Sequence, residues 1–131
     1  EEINLLFGLD LIKKQYEKMK RILLTFIFVI FFNVQAYALE LLMLHNKHCG
    51  YCIAFMKEVA VDYEYRDMPL VIIDAYNQPD WFKEAYKENR IKPIRGTPTF
   101  IIWNGRKELG RLVGYSGKEW FYTNLDSMFK K

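Results

Sequence analysis

The chain has 131 residues, of which 51% are hydrophobic and 17% aromatic, which is enough apolar surface for one folded core and too much for a disordered chain. Its formal net charge is +3, with both signs interspersed and no Lys/Arg-rich run that would track phosphates, so composition speaks against a nucleic-acid-binding protein. Two cysteines are too few to staple a small secreted domain, and the pair therefore reads as chemistry rather than scaffolding.

The chain opens on Glu1 rather than Met, so this N-terminus is not expected to be a natural translation start. Residues 1–18 are amphipathic, with Ile3, Leu6, Phe7, Leu11 and Ile12 against Glu2, Asp10, Lys13 and Lys14, a pattern that can form a helix. They read as upstream sequence carried in by a mistaken start, the alternative being a genuine cytosolic extension. At Met19 the pattern changes. Met19-Lys20-Arg21 is a charged start, residues 22–32 are apolar apart from Thr25, and Ala36-Tyr37-Ala38 supplies small residues at an A-x-A site. This is the layout of a secretory signal peptide over residues 19–38, cleaved after Ala38 to leave Leu39 first. The rival reading is a membrane anchor over residues 22–38. The apolar run is only about 11 residues, against the roughly 20 that span a bilayer. A buried core helix fits less well, because the run has no polar face.

The domain expected to remain is 39–131. Residues 39–44 are short and nearly all apolar, which suits a central strand buried on both faces. A turn, His45-Asn46-Lys47-His48, leads to Cys49-Gly50-Tyr51-Cys52, and residues 53–63 then follow helical spacing. Residues 69–74 predict a second strand entered by Pro69, and residues 81–89 a second helix. After the break at 92–96, Thr97-Pro98 precedes a third strand over 99–103. Asn104-Gly105 predicts a two-residue hairpin to a returning strand over 107–113. Ser116 is the expected cap of a last helix over 117–129, with Glu119 completing a capping box. The order β-α-β-α-β-β-α predicts an α/β sandwich, a mixed sheet of four strands flanked by helices. Both crossovers imply parallel strands and the hairpin an antiparallel last pair.

At C-x-x-C spacing on a helix start, the first thiol meets the positive end of the helix dipole and free backbone N–H groups, which stabilise a thiolate. Cys49 is then the expected nucleophile and Cys52 the more buried resolving thiol, together a redox-active dithiol needing no further cofactor. Gly50 leaves room for a partner's backbone, Tyr51 adds bulk and a hydroxyl, and a protonated His48 would favour the thiolate further. A structural disulfide is a poor alternative, because so short a loop constrains little of the unfolded chain. Metal binding is the sharper rival: His45, His48, Cys49 and Cys52 are four donors suited to zinc or copper(I). No second ligand pair accompanies them.

Cys49-Gly50-Tyr51-Cys52 with the later Arg95-Gly96-Thr97-Pro98-Thr99-Phe100 resembles the thioredoxin superfamily, and the segment Ile101-Ile102-Trp103-Asn104-Gly105 through Gly114 looks like that family's terminal hairpin. The resemblance covers residues 39–131. It implies that Pro98 is a cis-proline and that Thr97 presents its backbone to a partner chain. The C-G-Y-C motif is also similar to that of periplasmic disulfide isomerases, although their N-terminal dimerisation domain has no counterpart here. The Glu108–Tyr115 segment and the aromatic last helix are similar to small periplasmic thioredoxins of SoxS type. By that resemblance the chain is a monomeric, periplasmic thiol–disulfide oxidoreductase that reduces partner proteins and is itself re-reduced by a membrane-bound electron donor. One departure stands out. The family's buried Asp six residues before the first Cys is Met43 here, so a general base must be Glu58 or water, or is absent.

Overall fold

The computed structural model describes residues 1–31 and 37–130. The chain divides between residues 36 and 37 into two compact units. The first holds a single helix, α1 (Glu2–Phe31), which runs unbroken past Met19. The apolar side chains of residues 2–30 are exposed on every side, Leu24, Phe26 and Phe28 among them. Thr25, the polar residue of the apolar run, returns its hydroxyl to the Arg21 carbonyl at 2.9 Å. Among the described residues no helix is long and apolar enough to cross a membrane. Ala36 of the expected cleavage segment lies outside the described residues.

The second unit is built on strand β1 (Glu40–His45). Its run of four apolar residues, Leu41 to Leu44, is buried on both faces. Because side chains alternate along a strand, Leu41 and Met43 join one core and Leu42 and Leu44 the other. The first core lies against α2 (Gly50–Glu58) and α4 (Lys118–Ser127), the second against α3 (Asp80–Lys87). With β2 (Leu70–Asp74), β3 (Thr99–Trp103) and β4 (Glu108–Val113), β1 forms a four-stranded mixed sheet in the order β2-β1-β3-β4. This is the expected α/β sandwich. In β3 every residue is buried, as a central strand requires.

The strand directions correct one expectation. β2 runs parallel to β1, with Leu41 opposite Leu70, but β3 runs antiparallel to β1, with Met43 opposite Phe100. The reason lies in the second connection. β2 ends beside His45 and β3 begins beside Leu44, at the same end of β1. Between them α3 travels away from that end, about 12 Å for its eight residues, and the segment 88–98 climbs back. Near the bottom, the Glu108 N–H donates to the Arg90 carbonyl at 2.9 Å. At the top, Thr97 meets Cys49. The connection is a round trip rather than a crossover, so the strand that follows it must descend.

Three boundaries also shift. The expected helix over 53–63 ends at Glu58, followed by a short 3-10 turn (Ala60–Asp62). The hairpin is a four-residue loop instead of a two-residue turn: Asn104 Oδ1 accepts from the N–H groups of Arg106 (3.0 Å) and Lys107 (2.8 Å), and Gly105 takes φ +80°. The Asn side chain wins those donors from the ladder, a bulge follows at Ile102/Trp103, and β4 starts at Glu108. The Ser116/Glu119 capping box does not form. Gly117, at φ +101° and ψ 160°, is the N-cap of α4 and makes no side-chain cap bond. That backbone region is open essentially to glycine alone, and it starts the helix one residue late for the Ser-x-x-Glu spacing.

Candidate active site: a dithiol at the start of α2

The turn out of β1 is held by Asn46. Its carbonyl accepts from the Cys49 N–H at 3.0 Å and its Oδ1 from the His48 N–H at 2.9 Å. Cys49 is thereby delivered in an extended conformation (φ −88°, ψ 115°) as the N-cap of α2, and its Sγ accepts the Cys52 N–H at 3.3 Å. A sulfur at this position replaces the oxygen of an ordinary cap and sits at the positive end of the helix dipole. Both cysteines are free thiols, Cys49 half-buried and Cys52 fully buried. Only the first is therefore open to attack by, or on, a partner in solution.

The second side of the site comes from the segment returning out of α3. The Thr97 carbonyl accepts from the Cys49 thiol at 3.3 Å, and the Thr97–Pro98 peptide bond is cis. The loop is pinned around Pro98: Thr99 Oγ1 donates to the Gly96 carbonyl at 2.7 Å, and the Gly114 N–H to the Pro98 carbonyl at 2.8 Å.

These contacts separate the two thiols. Burial opposes ionisation of Cys49, but hydrogen bonds from the Cys52 thiol, the Thr97 side chain and the backbone N–H groups of Cys52 and Tyr51 outweigh it and lower its pKa. Burial raises the pKa of Cys52, and the hydrogen bond it gives to Cys49 raises it further. Cys49 thus gives up its proton more readily than Cys52 does. Alkylation of the reduced chain checks this, because only the thiolate reacts. As pH rises, Cys49 is expected to reach half-maximal modification below the ordinary thiol value of ~8.5, with Cys52 modified only above it. Equal modification of both at pH 7, read by mass spectrometry, is the contrary result.

A sequence model of the thioredoxin-like domain matches residues 35–129. The chain belongs to the thioredoxin-like family. Among solved structures it is similar to the reduced form of the periplasmic thioredoxin SoxS from Paracoccus pantotrophus, at 28% identity and a TM-score of 0.55, over 69% of this chain and 94% of that one. It shares its fold with the thioredoxin NaTrxh from Nicotiana alata, at 24% identity and a TM-score of 0.50, covering 70% of this chain and 75% of that one. It also shares its fold with a thioredoxin from Thermus thermophilus, at 21% identity and a TM-score of 0.51, covering 72% and 75%. No curated protein sequence matches it.

Within this thioredoxin-like site, Cys49, Cys52 and Thr97 meet directly, and Pro98 is buried behind them. Gly50, the first helical residue, has nothing within 4 Å of where a Cβ would stand. Tyr51 beside it is 66% exposed. His48 is exposed, and the hydrogen bonds that lower the Cys49 pKa come from Cys52, Thr97 and Tyr51. The four-donor metal set is not assembled: among the described residues no three His, Cys, Asp or Glu side chains gather to hold an ion. The helix explains why. It turns Cys52 into the core with Phe55 while His48 stays outside.

Met43 is fully buried where the family resemblance implies a carboxylate. Glu58 does not replace it. It lies at the far end of α2, about 9 Å along the axis from Cys52, and accepts the Tyr115 hydroxyl at 2.5 Å. That bond, after burial, raises the Tyr115 pKa. Sequence reading placed Asn46 in the turn but gave it no role, although an Asn three residues before an N-cap is a recognisable turn signal. It missed the pair Glu108 and Arg111. Strand alternation assigns residues three apart to opposite faces, and their loop partners are distant in sequence.

Proposed function

We propose that this chain is an exported thiol–disulfide oxidoreductase that reduces disulfides of periplasmic partner proteins. The observation that carries this reading is the Cys49 sulfur at the α2 N-cap, between the Cys52 N–H and Thr97. The Cys49 thiolate attacks one sulfur of the partner's disulfide, and the partner's other sulfur leaves as a thiolate. Gly50 and Tyr51 leave open ground for the partner chain, and Thr97 offers its backbone to it. Cys52 then loses its proton to water or to the departing thiolate and attacks Cys49 Sγ. The second partner sulfur is released. Two electrons have passed to the partner, which ends as two thiols, and Cys49–Cys52 ends as a disulfide.

In this reading a membrane-bound electron donor resets the site with two electrons and two protons. The export part is supported by the signal-peptide layout of residues 19–38 and by the likeness to a protein described as a periplasmic thioredoxin. The protein acts as a monomer in this reading.

Equilibration of the purified chain with glutathione buffers tests the direction. A reductant is expected near about −270 mV, whereas a value near −120 mV would make the chain an oxidant. No exchange with any model disulfide would end the reading altogether. Recovery of the chain from the periplasm with Leu39 at its N-terminus tests export, and a purely cytosolic chain is the opposing outcome.

A further inference from the structure

The loop that carries Thr97 is held from behind by a charged pair that takes no part in the chemistry. Arg111 on β4 grips Glu108 in a fork, with Nε to Oε1 at 2.6 Å and Nη2 to Oε2 at 2.7 Å. The rest of its guanidinium reaches the loop: Nη1 donates to the Pro93 carbonyl and Nη2 to the Lys92 carbonyl, both at 2.9 Å. Glu108 closes the ring by accepting the Lys92 N–H at 3.0 Å. The Glu108 side chain is only 2% exposed, so its charge is compensated by these partners rather than by water.

This loop has no regular secondary structure, since residues 88–98 belong to neither helix nor strand. Its lower part is fastened at Arg90, whose carbonyl accepts the Glu108 N–H, and beyond that come this ring at 92–93, the Thr99–Gly96 hydroxyl bond and the Gly114–Pro98 backbone bond. The last two lie beside Pro98. On the approach to Arg95-Gly96-Thr97 the ring is the polar fastening, beside the packing of Ile91 and Ile94 on the second core. Lysine could keep the charge but not the fork, because a single ammonium cannot bridge a carboxylate and two carbonyls in one plane.

We infer that Arg111 is a positioning residue for the dithiol, acting with Glu108 through the 92–97 loop to set Thr97 against Cys49. This rests on the thiol–disulfide reading above. Two consequences separate it from a general role in stability. Thr97 meets the Cys49 sulfur through its carbonyl, so a loosened loop shifts the pH at which the thiolate forms. A protein disulfide needs Thr97 as a docking edge, whereas a small disulfide needs only the sulfur.

The test is Arg111→Lys in the full chain. Thiolate formation is followed by ultraviolet absorbance against pH, and rates are compared for a protein disulfide and for a small aromatic disulfide. The expected result is a folded chain whose Cys49 titration is displaced from that of wild type. Its rate falls by between about tenfold and about a hundredfold for the protein disulfide, with a smaller loss for the small one. A folded variant with the wild-type titration and the wild-type ratio of rates overturns the proposal. Should Arg111→Lys not fold, Glu108→Gln is read the same way: it keeps the guanidinium's bonds to the loop but weakens its anchor, and must shift both readouts in the same direction. An unchanged Glu108→Gln also overturns it. If the wild-type chain exchanges no disulfide, the oxidoreductase reading fails, while the thiolate titration still decides the role of Arg111.

Discussion

Cys52→Ser is expected to arrest turnover at the mixed disulfide, leaving partner proteins covalently attached through Cys49. Cys49→Ser should trap nothing and lose disulfide reduction, because the remaining thiol is buried. The asymmetry follows from burial and from the pKa split. Cys49 is partly open and its thiolate is favoured, whereas Cys52 is fully buried and keeps its proton. Serine at 52 retains the backbone N–H that caps Cys49 Sγ, so the first attack survives and only the resolving step is lost. Non-reducing gels of cells producing each variant provide the measurement. Adducts forming equally through both cysteines would contradict the assignment. The pH dependence has a definite sign: adduct formation by Cys52→Ser should fall as pH drops through the lowered Cys49 pKa, because the thiolate is the attacking species.

Phe55→Ala is expected to cost about 3–5 kcal/mol, the usual range for removing a buried aromatic ring. Phe55 lies three residues after Cys52 and is fully buried. Its ring centroid is 4.6 Å from that of Phe100 on β3, 5.0 Å from Phe121 on α4 and 5.4 Å from Tyr115, which it meets edge-on at 87°. One side chain thus ties the redox helix to the sheet and to the last helix. Small domains have only about 5–15 kcal/mol in total, so the loss is a large share of the whole. For a domain of this size the melting temperature should fall by roughly 12 °C or more. The accompanying sign is local: Cys52, now beside a cavity, should become alkylatable under native conditions. A melting temperature within about 2 °C of wild type would mean that the aromatic cluster does not anchor α2.

Much of this was legible because the physics is local. Four consecutive apolar residues after Glu40 announced a strand buried on both faces, and the sheet places it centrally. The C-x-x-C spacing after that strand put one sulfur at a helix start, where it is found. The capping box failed for a reason that is also local but finer. Gly117 could adopt a backbone geometry that Ser116 could not, and the helix began accordingly. The hairpin loop was misjudged in the same way, because Asn104 used its side chain on two N–H groups that a tighter turn would have left to the backbone.

The sequence alone determined that there is a dithiol, which cysteine meets the helix dipole, and which family the chain resembles. Each of these depends on residue type and on separations of a few positions. The tertiary structure alone decided the direction of β3, because nothing in the residues of 88–98 states that they climb back along the sheet before the strand begins. It decided that Glu58 does not stand in for the carboxylate missing at Met43, since that depends on where α2 ends and what Tyr115 holds. It also brought Thr97 onto the Cys49 sulfur and Arg111 onto the loop behind it. Contacts between residues far apart in the chain are set by packing, and packing is a property of the whole fold rather than of any segment.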